Sequence, residues 1–152
     1  MSMLPSERIS FDPVFGRPKL TLPNNARMVI WPLLAMEVWD INRPMPRVVL
    51  APPQGNLLTP DIPNWSWHEY GMRAGIWRLF RMFDELNISP CVTLNARTCT
   101  DYPQVAEAIL DRGWEFNAHS YDQIAMHKVE HQQEMIEKTI EIIKTFSGRK
   151  PR

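Results

Sequence analysis

Residues 74–118 read AGIWRLFRMFDELNISPCVTLNARTCTDYPQVAEAILDRGWEFNA, and the change of period within this stretch decides the fold. Ile76, Leu79, Phe80, Phe83 and Leu86 recur at helical spacing over Ala74 to Leu86, with Arg78, Arg81, Asp84 and Glu85 on the other side. Ile88-Ser-Pro stops that helix, and Cys91 to Leu94 (CVTL) reads as a strand. Val105, Ala108 and Ile109 mark another helix, which Gly113 ends at the C′ position that favours a residue without Cβ. Trp114 to Ala118 then makes a further short strand. Helix, strand, helix, strand at this spacing implies right-handed parallel βαβ units.

The same alternation extends outward. On the C-terminal side, Val129, Ile136, Ile140, Ile143 and Phe146 line a long helix running to Ser147-Gly148. On the N-terminal side, Met28 to Val38 (MVIWPLLAMEV) is a near-continuous apolar run, as expected of a parallel strand buried on both faces. Pro32 within it removes one ladder donor, which suggests a bulge or an unpaired N–H side at that point. Residues 42–63 carry six prolines and Gly55 and read as a long surface excursion, a lid in form. The aromatic cluster Trp65, Trp67, His68 and Tyr70 follows it. Residues 1–26, with Pro5, Pro13, Pro18 and Pro23, have little periodicity and read as an N-terminal arm. The expected class is α/β. Its three strands make a small sheet, and no GxGxxG or Walker loop follows any of them.

Composition removes several functional classes. The 152 residues carry 17 basic and 17 acidic side chains and are 44% hydrophobic, which describes a globular chain. Zero net charge, without a Lys/Arg stripe, gives no electrostatic case for nucleic acid or an anionic membrane. No run approaches the ~18–20 apolar residues that span a bilayer, and Met1 to Asp12 lacks a signal-peptide pattern, so a cytoplasmic location is expected. Cys91 and Cys99 are expected to be buried free thiols, not a metal pair.

In α/β folds, functional side chains gather at the carboxyl ends of the strands. That rule selects Glu37 and Asp40 after the first strand, Asn95 and Arg97 after the second, and His119, Ser120 and Asp122 after the third. An acid and a histidine converging over one sheet edge form a general acid/base pair. His127 and His131 are spaced to share one helical face, but their charged surroundings read as a solvated surface.

Three runs carry a family resemblance. Glu69-Tyr70-Gly71-Met72-Arg73-Ala74-Gly75-Ile76-Trp77-Arg78 resembles the EYGxRxGxWR signature of metal-independent allantoinases, within the polysaccharide-deacetylase (NodB-homology) superfamily. Arg112 to Ser120 (RGWEFNAHS) resembles that superfamily's GHEIASH strand, which ends in its key histidine. Ser147 to Pro151 resembles its TGRxP element. The resemblance covers roughly residues 22–152. It implies parallel strand–helix repeats forming part of a distorted (β/α) barrel of the glycoside hydrolase/deacetylase type, with residues 27–152 as its N-terminal half.

The activity implied is hydrolysis of a non-peptide carbon–nitrogen bond, by a deacetylase or cyclic amidase acting on a small-molecule amide or an N-acetylated sugar. Glu37 takes the position of the base and His119 that of the acid or carbonyl polariser. Glu69, Arg73, Trp67 and Asp40 take substrate-binding positions. Glu69 and Arg73 also fit a plain i,i+4 ion pair, and Trp67 with Trp65 also fits a flap that packs its own aromatics. In metal-dependent relatives a second acid and an HSxxH element complete a divalent-ion site. Here Val38 stands in the second acidic position and Gln123 replaces the second histidine, so no cofactor is expected. If a zinc ion were bound, Asp40 and His119 would be its ligands.

A half-barrel would need a complementing C-terminal chain or a homo-oligomer to cover its sheet edges. Two other readings stand beside this one. The chain is a non-catalytic remnant or binding module of the same fold, or it is a metal-dependent deacetylase of N-acetylated sugars.

Overall fold

The computed structural model describes residues 5–151, which form two compact units divided between Ile30 and Trp31. The first unit holds one helical turn, α1 (Pro5–Arg8), and a 3-10 turn at Pro23–Asn25. Within it an ion pair between Arg17 Nε and Asp12 Oδ2 (3.0 Å) ties the intervening loop.

The second unit is built on three parallel strands, β1 (Leu33–Met36), β2 (Cys91–Leu94) and β3 (Phe116–Ala118), in the spatial order β1-β2-β3. Leu33 pairs with Cys91 and Met36 with Leu94, while Val92 pairs with Phe116 and Leu94 with Ala118. Each new strand lies beside its predecessor, as in a barrel wound in sequence. The sheet is not closed: β1 and β3 are its outer strands.

The intervening helices are α2 (Ile62–Tyr70), α3 (Ile76–Glu85), α4 (Thr98–Asp101), α5 (Pro103–Asp111) and α6 (Gln132–Ser147). One face of the sheet supplies Leu34, Met36, Val92, Leu94 and Phe116 to a core completed by Ile76, Phe80, Val105, Ala106, Ile109 and Ile143. Trp114 closes it with edge-on contacts to Phe80 (5.5 Å) and Phe83 (5.7 Å). The Arg112 guanidinium lies over the Phe80 ring at 4.7 Å while its Nε and Nη2 hold the Asp84 carboxylate. Gly113 (φ +69°) and Gly148 (φ +71°) follow α5 and α6 in the left-handed conformation expected of helix ends.

Several expectations change: the last helix starts at Gln132, after Val129, and the third strand starts at Phe116. The first strand occupies only Leu33–Met36 of the apolar run, and its exposure alternates, with Leu33 56% exposed and Leu34 buried. Helices cover one face of the sheet, so the other face, carrying Leu33 and Ala35, stays open. The ladder starts at the Pro32 carbonyl, which accepts from Cys91 N (3.0 Å); proline has no N–H with which to extend it further back. Cys91, on the same open face by register, is half-buried, whereas Cys99 is buried.

The helix before β2 starts far earlier than its apolar spacing indicates. α2 begins at Ile62 and runs through a π-helical turn, Gly71–Gly75, into α3. The aromatic cluster is therefore helical. Its buried positions are Asn64, His68 and Glu69, so a reading based on apolar periodicity passes over it. Finally, His127 lies in a 3-10 turn (Met126–Lys128) and His131 at the N-cap of α6, so no single helix carries both.

Candidate active site

The loops that leave the carboxyl ends of the three strands interlock. β1 ends as Asn95 N donates to Met36 O (3.0 Å), and the chain continues into Glu37, Val38 and Trp39. β3 ends as His119 N donates to Leu94 O (2.9 Å). Ser120 then turns with φ +65°, a left-handed conformation uncommon for a residue with a Cβ and one that gathers at functional sites. This turn lets Ala96 N donate to Ser120 O and Arg97 N to Tyr121 O, both at 3.0 Å. Gln123 N crosses to Val38 O (3.2 Å), which closes the first loop against the third.

Asn95 is the centre of this arrangement. Its side chain is fully buried; Oδ1 accepts from Val38 N (2.8 Å), and Nδ2 donates to the carbonyl of His119. One amide thus joins the backbones beside Glu37 and His119. Glu37 itself is half-buried, and its Oε2 accepts from Trp39 Nε1 (2.8 Å). Among the described residues no hydrogen bond engages Oε1 or the His119 imidazole, which is exposed. His119 borders an apolar cavity of about 400 Å³ with Ile124, Met126, Met135 and Ile140.

The other sequence-selected residues occupy three separate places. Asp40 turns back on its own loop, accepting from Asn42 N (3.0 Å) and facing Arg43 Nε (3.5 Å). Arg43 Nη1 also reaches Asp122 Oδ2 (3.0 Å), which Arg97 approaches at 3.8 Å while pairing with Asp101. Trp67 is half-exposed, its ring 6.5 Å from that of Trp39.

Glu69 is buried. Its Oε2 accepts from Arg73 Nε (2.8 Å) and its Oε1 from the Tyr102 hydroxyl. The half-buried phenol beside this carboxylate titrates well above its ordinary value, by desolvation first and by the hydrogen bond to Glu69 next. Its own hydrogen bond to Glu69 raises the Arg73 guanidinium. The i,i+4 ion pair is thus present, and it carries a third member that the sequence reading does not include.

Asn64 is another such residue. Fully buried, it accepts from Val49 N (2.7 Å) and Leu50 N (2.8 Å), donates to Leu50 O, and so pins the proline-rich excursion to α2. Asp61, at the N-cap, accepts from Asn64 N and Nδ2. His68 stacks on Trp39 (4.8 Å, 17°) and places Nε2 2.6 Å from Glu37 O. Its position in the aromatic cluster was legible, but its contact with the loop after the first strand was not.

Val38 is an apolar core residue where a second acid would stand, and Asp122 is engaged by two arginines. Among the described residues no three His, Cys, Asp or Glu side chains converge.

The family model for polysaccharide deacetylase matches residues 64–152. That is more than half of the sequence. The chain belongs to the polysaccharide deacetylase family. Among solved structures it is similar to a "probable Polysaccharide deacetylase" from Pseudomonas aeruginosa PAO1 (TM-score 0.63, 25% identity, 80% of this chain and 44% of that one). It is also similar to Puue allantoinase (TM-score 0.73, 24% identity, 90% of this chain and 49% of that one). This polysaccharide deacetylase family chain thus spans about half the length of these structural relatives. The second likeness bears on the fold alone, and the three-stranded sheet corresponds to part of the deacetylase-type barrel. No protein of curated function matches the chain. Among the described residues no helix is long and apolar enough to cross a membrane.

Proposed function

We propose that this chain supplies the base and the acid of a metal-independent hydrolase of non-peptide carbon–nitrogen bonds. The observation that carries this reading is the Asn95 bridge, which ties Val38 N, next to Glu37, to the carbonyl of His119 over one end of the sheet. Glu37 Oε1 takes a proton from water as the water oxygen adds to the amide carbonyl carbon. His119 polarises that carbonyl or protonates the departing nitrogen, so the C–N bond breaks to a carboxylic acid and an amine. Asp40, Trp67, Glu69 and Arg73 shape the substrate side. For Glu69 and Arg73 the contact with Tyr102 supports an indirect part, through the placement of α2.

A cyclic amide such as allantoin, named by the allantoinase relative, and an N-acetylated sugar are the substrates to offer. Both outer strands are unpaired among the described residues, so the active form is completed by a C-terminal half, a second copy or a complementing chain. A cytoplasmic location accords with two free cysteines.

The test is turnover of allantoin and of chitin oligosaccharides, with and without EDTA. Glu37→Gln and His119→Ala are each expected to lower kcat by about 10²–10⁴-fold, with chelator without effect. Equal turnover in the variants would leave the binding-module reading, in which the open sheet serves contact and not chemistry. Loss of turnover with EDTA would instead mark a metal-dependent deacetylase.

A further inference from the structure

We infer that His68 and Asn95 are positioning residues for Glu37, acting as a two-sided clamp on the Glu37–Val38 peptide group. The inference rests on the reading of Glu37 as base and adds the groups that aim it. Met36 is the last residue of β1, so the next peptide has no strand to pair with. Its two polar atoms are taken instead by side chains from two different elements. The carbonyl of Glu37 accepts from His68 Nε2 (2.6 Å), on α2, and the N–H of Val38 donates to Asn95 Oδ1 (2.8 Å), beyond β2. The flanking carbonyls of Met36 and Val38 accept from Asn95 N (3.0 Å) and Gln123 N (3.2 Å).

Met36 O, Glu37 O, Val38 N and Val38 O are thereby all held, which constrains the direction of the Glu37 Cα–Cβ bond. Trp39 Nε1 then sets the carboxylate by holding Oε2. His68 is itself held by its stack on Trp39, so the group that grips the carbonyl also supports the one that grips the carboxylate. A carbonyl only accepts, so Nε2 carries the imidazole hydrogen. Nδ1 is left buried without a hydrogen-bond partner, 3.9 Å from Glu69 Oε1.

A buried polar atom left unmatched is uncommon, and a phenyl ring would pack against Trp39 without it. The single hydrogen bond to Glu37 O is what a histidine provides here that an apolar ring does not. Asn95 is similarly specific. Aspartate would retain an acceptor for Val38 N but turn an oxygen on the His119 carbonyl, and leucine would satisfy neither.

The test combines amide exchange with turnover of allantoin, on the full chain in its assembled form. In Asn95→Ala, exchange at Val38 N is expected to accelerate about tenfold or more relative to the core amide of Val92. His68→Phe, which keeps the ring on Trp39, is expected to lower kcat about 10–100-fold with KM changed by less than about threefold. Asn95→Ala is expected to lower kcat to a similar extent. Val38 exchange that stays at the wild-type rate in Asn95→Ala, or that rises only in step with Val92, would overturn the clamp. A His68→Phe variant that raises KM and spares kcat would overturn the positioning role. If Glu37→Gln turns over at the wild-type rate, the base reading fails; accelerated Val38 exchange in Asn95→Ala would then identify an intact clamp without a catalytic purpose.

Discussion

Tyr102 is half-buried and its hydroxyl faces a carboxylate that water barely reaches. Removing that hydroxyl leaves Glu69 with Arg73 alone, so Tyr102→Phe is expected to cost about 1–3 kcal/mol, read as a lower urea midpoint at unchanged m-value. Cys99 makes a second residue-scale prediction. Burial pushes its thiol up to about 11 from an ordinary 9.0. The unfolded chain forms the thiolate at lower pH than the native chain does. The contribution is therefore intact below about pH 9 and is lost as pH rises through 9 toward 11. Tyr102 is raised as well, and its loss of a proton beside Glu69 adds to the same alkaline weakening. Urea midpoints between about pH 8 and pH 10.5 are expected to fall more steeply in the wild type than in Cys99→Ala. Iodoacetamide at about pH 8 is expected to label the half-buried Cys91 and spare Cys99 until the chain unfolds.

At the scale of elements, the long helix from Ile62 to Glu85 is held by polar contacts at its start and apolar ones at its end. α2 buries Asn64, His68 and Glu69, and α3 buries Ile76 and Phe80. Between them the π-helical turn rotates the buried face from one set to the other, and Gly71 sits at its first position with φ −56° and ψ −49°. That conformation suits any residue, and a Cβ there would meet no atom within 4 Å. Gly71→Ala is therefore expected to raise stability by about 0.4–1 kcal/mol through the unfolded chain. A thermal melt checks this. Turnover that drops while the melting temperature rises would show that the motif glycine serves substrate approach and not folding. The apolar half of this helix was legible because its spacing follows the helical period; the polar half was not, because Asn64 and His68 reach partners at residues 49, 50 and 37, far along the chain.

At the scale of the molecule, the sheet packs one face and leaves the other, with Leu33 and Ala35 exposed. Among the described residues no strand pairs with the outer edge of β1 or of β3. Light scattering is therefore expected to give a mass above the 17.8 kDa of one chain. A monomer with a cooperative melt would mean that the three-stranded unit stands on its own core of Leu94, Phe80, Ile109 and Ile143, and that the completing second copy or chain is not needed for folding.

The sequence by itself determined the strand–helix alternation, the strand ends that carry Glu37 and His119, and the motif that led to the family. These are local properties: a period, a turn residue and a short run of side chains are written into consecutive positions. What only the tertiary structure decided is which polar groups meet. Asn95 joins residues 38 and 119, His68 reaches residue 37, Tyr102 reaches residue 69, and Arg43 reaches residue 122. Each contact spans tens of residues, and a buried polar atom is satisfied by whatever partner the folded backbone brings within hydrogen-bond reach, a condition that leaves no periodic trace in the chain.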